Sequence, residues 1–411
     1  MNQNRNIILL VIVASLGYFV DIYDLLIFSI VRVKSLQDIG VAPIDMRQTG
    51  EYILNMQMAG LLIGGIVWGV LGDRMGRLKV LFGSILLYSI ANICNAFVHD
   101  ENAYAFVRFF AGLGLAGELG AGITLVSETM GKNNRGYGTM MVAVVGLFGA
   151  VVAREVSKHF DWRNAYIVGG VLGIVLLLLR IGVAESGLYK NVAHTNVPKG
   201  NLKMLFSNKE RFWRFLNCIL IGFPFWFVVG ILLTLAPEFG KALHAPQTLD
   251  AGAAIMFAYI GISAGDIISG LLAQWLRSRK KVLYIFNFLS LGICCFYLNY
   301  KGITQKEMNW VSFFIGIGSG YWANFVTMAS EQFGTNLRAT VTTSVPNFVR
   351  GALIPITWIF ELLVPKVKII PAAYILLLVT IGIGVFALTQ LKDGFGRDLN
   401  FVESDVPDEI E

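Results

Sequence analysis

The chain has 411 residues, of which 55% are hydrophobic and 15% charged, and its net charge is +6 at neutral pH. A mean hydropathy of +0.65, with charge well below the ~25% of an ordinary soluble domain, excludes a soluble globular enzyme. The basic residues are scattered through the gaps between apolar segments instead of forming one patch, which argues against nucleic acid as a partner.

Apolar runs long enough to cross a bilayer recur along the whole chain. They predict an all-α membrane protein with twelve transmembrane helices, at residues 6–30, 51–72, 79–98, 103–129, 137–157, 164–184, 212–236, 251–276, 282–299, 309–330, 340–363 and 370–391. A basic segment follows the sixth span. We therefore expect an N-terminal six-helix bundle (1–185), a cytoplasmic basic linker (186–211), a C-terminal six-helix bundle (212–392) and an acidic cytoplasmic tail (393–411).

The lysines and arginines predict the orientation. With a cytoplasmic N-terminus, the cytoplasmic segments hold more of them than the outer segments, as the positive-inside rule requires. Both termini are then cytoplasmic, and the compact chain is typical of a multi-pass protein of the bacterial inner membrane. The four cysteines lie in apolar segments without a C-x-x-C pair, so neither a disulfide framework nor a metal site is predicted.

Span one carries two acidic residues, Asp21 and Asp24, three positions apart and therefore on one helix face. A carboxylate at this depth is costly unless it is paired or protonated, so both are candidates for proton coupling. At about 1.5 Å per residue, Asp21 falls near mid-membrane and Asp24 toward the outside. Arg108 or Arg154, at a similar depth, could neutralise Asp24.

The second half of the chain repeats features of the first half, beginning with the glycines of span two. Its glycines Gly60, Gly64 and Gly69 recur in span eight, at one constant offset, as Gly261, Gly265 and Gly270. A second match follows spans four and ten, where Ser127-Glu128 with Arg135 corresponds to Ser330-Glu331 with Arg338. A parallel six-helix repeat is typical of transporters that rock two halves about a site near the bilayer midplane.

The loop after span two reads Gly69-Val70-Leu71-Gly72-Asp73-Arg74-Met75-Gly76-Arg77-Leu78-Lys79. It resembles the signature of the major facilitator superfamily, G-x-L-x-D-R-x-G-R. The resemblance covers nearly the whole chain, since Asp161-Trp162-Arg163 before span six and Ala184-Glu185-Ser186 at its end also fit. It implies two six-helix bundles related by pseudo-two-fold symmetry, with spans one, four, seven and ten lining a central cavity.

The charged residues of these loops are candidates for a conformational latch. Charge-assisted bonds can hold neighbouring helix ends together in one conformation and release them in the other. The candidates are Asp73, Arg74, Arg77, Glu128, Arg135, Glu331 and Arg338. A solvated turn with positive-inside arginines is the alternative for the first loop. The corresponding second-half loop has Gln274 in place of Asp73, so the second latch is expected to be weaker.

Span four contains Gly112-Leu113-Gly114-Leu115-Ala116-Gly117, which matches the dinucleotide fingerprint. That fingerprint requires a preceding strand, so we interpret these glycines as a close-packing helix face. Glu118 is the third candidate for proton coupling. Phosphate:proton symporters have similar segments in their first and fourth spans, which correspond here to Tyr18 to Leu25 and to Gly117-Glu118-Leu119-Gly120. Glu118 replaces the aspartate of those symporters and Gly120 replaces their proline, and these differences argue against phosphate as the substrate. An ion pair that only locks helices together is the alternative role for these acids.

The second half supplies the candidate substrate-binding residues. Arg350 lies near the centre of span eleven and could hold a carboxylate or phosphate bidentately, although a structural bond to Asp266 or to backbone carbonyls is an equal alternative. Aromatic and amide side chains could contact a ring or an apolar body, although such residues more often pack. The substrate-binding candidates are Arg350, Trp226, Tyr321, Asn324, Asn347 and Arg154.

These features predict a secondary active transporter, not an enzyme. It would move a small organic solute, expected to be an organic anion, by alternating access with proton symport; the proton gradient supplies the energy, and no cofactor is expected. Uptake is preferred because Gly146-Leu147-Phe148-Gly149 lacks the proline of superfamily antiporters. The alternatives are a proton-driven exporter, a sugar or nucleoside carrier, and a transporter-like sensor. The expected partners are the substrate, protons and the lipid bilayer, and we expect a monomer.

Overall fold

A computed structural model describes residues 3–75, 77–118, 135–185, 202–395 and 403 of the chain. Every helix and turn reported below lies within these ranges, which contain no strand. At some helical positions, notably 72–75, 77–80 and 135–140, only the backbone is described. The protein is therefore all-α throughout its described part.

The first half is built from long helices joined by short connections. In order these are α1 (Gln3–Asp38), α2 (Met46–Met75), α3 (Arg77–Asn95), α4 (Glu101–Leu115), α5 (Arg135–His159) and α6 (Trp162–Glu185). Helix α1 packs mainly on α5 and α6, while α2 packs on α4, and α3 on α4 and α6. The result is a bundle whose helices alternate in direction between the two ends of the molecule.

The second half contains shorter pieces. They are α7 (Leu202–Ser207), α8 (Lys209–Leu220), α9 (Phe223–Phe227), a π-helix (Val228–Leu233), α10 (Ala236–Ala242), α11 (Ala251–Leu276), α12 (Arg279–Asn299), α13 (Gln305–Ser319), α14 (Trp322–Glu331), α15 (Thr335–Gly351), α16 (Leu353–Val367) and α17 (Ile369–Gln390). Helix α11 packs on α13 as α2 packs on α4. The two halves meet where α11 contacts α5 and α15 contacts α2.

Three predicted spans of the second half are interrupted near their middles. Span seven changes from α-helix to π-helix after Phe227. The hydroxyl of Thr234, just beyond the π-helix, donates to the carbonyl of Val229, 2.8 Å away. Span ten breaks at Gly320, and span eleven is divided at Ala352. Non-helical backbone at membrane depth is tolerated where it is buried in protein or lines a cavity, so these breaks direct attention to the centre of the molecule.

The predicted spans agree with the observed helices in position. Each of them overlaps at least one described helix, and seven helical segments are long and apolar enough to cross a membrane. The main differences are in extent, because α1 runs eight residues beyond the predicted end of span one, at residue 30, to Asp38. The number of twelve spans and the domain boundaries stay predictions.

The repeated glycines of spans two and eight make the same contacts in the two halves. A methyl group on Gly60 would lie 2.0 Å from the carbonyl oxygen of Phe109, and one on Gly261 would lie 2.0 Å from that of Phe313. A methyl group added to Gly64 or to Gly265, the next pair, would lie 2.5 Å from the backbone oxygen of the facing helix. Only glycine permits this approach of α2 to α4 and of α11 to α13. Gly270 breaks the pattern, because nothing lies within 4 Å of its missing Cβ.

The glycines of the dinucleotide-like run also pack. A methyl group on Gly112 would lie 2.1 Å from the backbone oxygen of Gln57, and one on Gly114 would lie 2.6 Å from the backbone nitrogen of Tyr88. Backbone of α2 and α3 therefore fills the space that a phosphate would need. The interpretation of span four as a close-packing helix is confirmed for its described residues.

Replacing Gly261 with alanine is expected to lower the stability of the protein by about 1–3 kcal/mol, the usual cost of overpacking. The added methyl group meets backbone of α13, which cannot give way without moving the helix. Gly270→Ala is the matched control on the same helix, and it should leave stability unchanged or slightly raised, because alanine is the better helix former. Thermal unfolding in detergent measures both. Equal effects of the two substitutions would show that close approach does not govern this position.

Candidate functional site

A buried ion pair joins the two halves at the centre of the molecule. The guanidinium Nη2 of Arg350, on α15, donates to Oδ2 of Asp21, on α1, at 3.2 Å, and both residues are at most 1% exposed. Asp21 Oδ1 and the Nε and Nη1 atoms of Arg350 have no hydrogen-bond partner among the described residues. The pair is therefore incompletely satisfied, and Arg350 keeps donors that could bind an anion.

A small cavity lies beside this pair. Its apolar and aromatic walls come from both halves, and the lining residues are Tyr18, Ile22, Leu25, Leu147, Phe225, Trp226, Tyr259, Ile262, Trp322 and Arg350. The cavity has about the room of one water molecule in this conformation. A larger ligand would enter only after the halves or the side chains move, as alternating access requires.

The lining departs from the expectation of spans one, four, seven and ten. Spans one, seven and ten contribute, but so do spans five, eight and eleven, through Leu147, Tyr259 and Arg350. Span four contributes no lining residue within its described part. Arg350 and Trp226 line the cavity, and their role in substrate binding stays a prediction. Arg350 pairs with Asp21 instead of Asp266 or backbone carbonyls, the two alternatives that its sequence position suggested.

Asp24 is fully buried against α6, with Arg108 and Asn92 as its nearest compensating groups. Neither carboxylate oxygen has a hydrogen-bond partner within the described ranges, and Oδ1 would lie 2.4 Å from a Cβ on Gly169. Arg108 donates to the backbone carbonyl of Asp24 at 2.9 Å and to the side chain of Asn92 at 3.1 Å. Arg108 therefore lies close enough for its charge to act on the Asp24 carboxylate without a direct bond to it, whereas Arg154 is paired with Asp250; neutralisation of Asp24 by Arg108 stays a prediction.

Glu118 forms a forked ion pair with Arg180 of α6. Nη1 of Arg180 donates to Oε2 at 3.0 Å, Nη2 contacts Oε1, and both side chains are 2% exposed. The pair rests on Gly17 of α1, where a Cβ would be 2.0 Å from Nη2. Such full pairing favours the lock between helices that the sequence left open as an alternative. Arg180 was missed, although a cation inside an apolar run is by itself a signal of function.

Three further ion pairs join the halves at one end of the molecule, among the residues that the structure describes. We call this end, which carries the α1–α2, α3–α4 and α12–α13 connections, the distal end. Arg32 of α1 binds both carboxylate oxygens of Glu238, at 2.7 and 2.8 Å. Arg47 pairs with Glu361, and Arg154 pairs with Asp250. In each pair the arginine belongs to the first half and the acid to the second, so together they close the distal end.

Several candidate substrate residues lie outside the cavity. Arg154 is held by Asp250 at the distal end. Tyr321 is buried but does not line the cavity, and its neighbour Trp322 does so instead. Asn324 accepts a bond from Arg279 at 3.2 Å, and Asn347 donates to the backbone carbonyl of Ala116 at 3.0 Å. None of the four lines the cavity in the conformation described, because each side chain is engaged or directed elsewhere, and their role in substrate binding stays a prediction.

One part of the predicted latch is described. Glu331 receives two bonds from Nε of Arg279, at 2.9 and 2.8 Å, at the end of the molecule opposite to the distal end. The second-half loop thus forms a latch despite Gln274, in which the single Nε–H of Arg279 is shared between the two oxygens of Glu331. Glu128 lies outside the described residues, and the side chains of the other latch candidates lie outside the described part as well; these candidates are Asp73, Arg74, Arg77, Arg135 and Arg338.

Two helical halves with a central cavity between them, joined by ion pairs at the distal end, are the arrangement expected of a membrane transporter of the alternating-access class. The family model of the Major Facilitator Superfamily matches residues 9–356, and the chain belongs to this superfamily. It is a transporter and not an enzyme.

Several relatives of this chain are named as transporters of small organic molecules. A niacin transporter of Acinetobacter baylyi is 26% identical over 365 residues, which cover 80% of each chain. A 3-(3-hydroxy-phenyl)propionate transporter of Escherichia coli is 29% identical over 249 residues, 59% of this chain and 60% of the relative. The solved structure of a proton:xylose symporter matches with a TM-score of 0.72 at 15% identity, over 97% of this chain and 98% of that one. This last likeness establishes the fold.

Proposed function

We propose that this protein takes up a small aromatic carboxylate together with a proton. The observation that carries the proposal is the pair of Asp21 and Arg350 beside an aromatic cavity. A carboxylate ligand and the Asp21 carboxylate would compete for the same guanidinium. Niacin and 3-(3-hydroxyphenyl)propionate, which name two of the relatives, are both aromatic carboxylic acids that would satisfy Arg350 and stack between the rings.

The same pair supplies a coupling mechanism. A proton on Asp21 removes the charge that holds Arg350, so the guanidinium becomes free to bind the anion. Without the proton, Asp21 itself occupies Arg350 and excludes the anion. Because Asp21 and Arg350 belong to different halves, exchanging one bond for the other also changes what holds the halves together. Proton and anion are then transported together, and the loaded carrier gains no net charge.

Asp24 is a second proton-binding residue in this proposal. An ionised carboxylate that is buried without a donor costs several kcal/mol, and Asp24 lies one helical turn from Asp21 on the same face. We assign Glu118 to the lock with Arg180 because its charge is already matched by two bonds. With the N-terminus cytoplasmic, the distal end faces outward and the cell imports the substrate.

The test is uptake of nicotinate by proteoliposomes with an acidic exterior, with nicotinamide as the neutral control of the same ring size. One pH unit corresponds to 1.36 kcal/mol, so 1:1 symport should give up to about tenfold accumulation of nicotinate and none of nicotinamide. Arg350→Lys should raise the KM for nicotinate about tenfold or more, since one charged hydrogen bond is worth about 1.5–3 kcal/mol.

Three other outcomes would overturn the proposal. Equal transport of nicotinamide would show that Arg350 does not recognise the carboxylate group of the substrate. Accumulation only of sugars or nucleosides would favour the carrier alternative. Accumulation driven by an acidic interior of the vesicle would favour an exporter.

A further inference from the structure

A pair of acidic residues, Glu51 and Glu361, lies between the halves at the distal end, away from the cavity. Glu51 of α2 is 4% exposed, and neither of its carboxylate oxygens has a hydrogen-bond donor within the described part of the chain. Its carboxyl group faces that of Glu361, on α16 of the other half, where α2 and α16 pack together. Two buried carboxylates that face each other cannot both be ionised without a large cost in free energy.

The surroundings show where a proton would be placed. Glu361 uses Oε1 to accept a bond from Arg47, whereas its Oε2 is buried and has no donor within the described residues. A protonated Glu51 would donate to this oxygen. Glu361 would remain the anion of the Arg47 pair, and one hydrogen bond would satisfy a buried oxygen on each side of the interface.

The other charged groups near Glu51 are already engaged. Arg32 of α1 and Arg47 of α2 face it, but each of them is bound to an acid of the second half, Glu238 and Glu361 respectively. From α4, Glu101 is occupied as the acceptor of a 3.3 Å bond from Thr49. A bound proton is therefore the group that fits the space between Glu51 and Glu361.

We propose that Glu51 and Glu361 form a proton-binding site that closes the distal end of the transporter. When the halves separate there, both carboxylates become hydrated and Glu51 releases its proton to the solution on that side. When the halves close, the proton is bound again and shared across the interface. This proton stays at the distal end, and therefore it controls the gate and is distinct from the proton that crosses with the substrate.

The inference does not depend on the identity of the substrate or on proton-driven transport. It predicts that acidic solution favours closure of the distal end and that alkaline solution favours opening. The sign follows from the closed state, which holds one more proton than the open state, so raising the pH removes the stabilisation of closure.

The experiment measures the distance between spin labels on cysteines introduced at Asn102 of the first half and Lys301 of the second. Both positions are exposed at the distal end. The purified, substrate-free protein is used, with its four native cysteines replaced. In the otherwise native chain, a short distance at low pH should give way to a population several Å longer as the pH rises. Glu51→Gln should keep the short distance at every pH, because an amide donates to Glu361 without titrating.

Two further variants make the result specific. Glu101→Gln, an exposed acid on the same face, should leave the pH response unchanged. Glu361→Gln should weaken or abolish the pH response, since an amide at position 361 can donate to the ionised Glu51 and closure then no longer requires a proton. A distance that does not respond to pH, or a Glu51→Gln response like that of the parent protein, would overturn the proposal. Failure of proton-driven nicotinate uptake would not affect this measurement.

Discussion

Replacing Asp21 with asparagine is expected to abolish proton-driven accumulation while preserving exchange of substrate across the membrane. Asparagine keeps the size of aspartate but can neither bind the transported proton nor hold Arg350 by charge. The guanidinium is then always free for the anion. Accumulation in proteoliposomes should fall from up to about tenfold per pH unit to equilibration, while counterflow of labelled nicotinate against unlabelled nicotinate continues.

Binding supplies a second measure of the same change. Nicotinate affinity of the parent protein should strengthen as the pH falls, because protonation of Asp21 releases Arg350. The Asp21→Asn protein should bind nicotinate with one affinity at all pH values tested. Without ligand it should be less stable, since breaking a buried ion pair typically costs about 3–5 kcal/mol. Nicotinate should restore much of this loss by mass action.

Asp266→Asn is the matched control for this prediction. Asp266 is also a buried acid of a central helix, 8% exposed, but it accepts a bond from the backbone nitrogen of Ala323 at 3.1 Å and pairs with no arginine within the described residues. Its replacement should preserve accumulation. If Asp266→Asn removes accumulation and Asp21→Asn does not, the proton is carried elsewhere and the competition for Arg350 is not the coupling step.

The sequence predicted the chemistry of the centre better than its contacts. The depth of Asp21 and that of Arg350 follow from counting residues along a span, and both residues lie at the centre of the molecule. Their partnership could not be predicted, because the positions are 329 residues apart and nothing local indicates which faces of spans one and eleven meet. The same reason applies to Arg154, whose partner Asp250 belongs to the other half.

The break in span ten explains why Tyr321 does not line the cavity. A continuous helix would have placed Tyr321 at the repeat position of Glu118, facing the centre. The backbone instead leaves the helical conformation at Gly320 and Tyr321, with φ −127° and ψ 13° at Tyr321, and this changes the helical phase. Trp322 consequently lines the cavity. Gly320 allows the break because a Cβ there would lie 2.4 Å from Gly265 of α11, a contact that becomes visible only when the helices are packed.

Glu118→Gln is expected to cause a large loss of stability, about 3–5 kcal/mol, because it leaves the charge of Arg180 buried and uncompensated. The forked geometry and the 2% exposure of both side chains leave no water to replace the carboxylate. Glu210→Gln is the matched control. Glu210 also pairs with an arginine, Arg214, at 3.0 Å, but its side chain is 83% exposed, so the change should stay within about 1 kcal/mol. Thermal unfolding in detergent measures both variants.

A double substitution separates a structural role of Glu118 from a role in coupling. Replacing Glu118 and Arg180 together with methionine removes both charges, and exchanging a buried pair for apolar residues of similar volume is often neutral or stabilising. If the pair is only a lock between span four, span six and Gly17, the double variant should regain stability and should still accumulate nicotinate along a proton gradient. Restored stability without accumulation would instead identify Glu118 as a coupling acid, and Arg180 as the group that holds its charge in the unprotonated state.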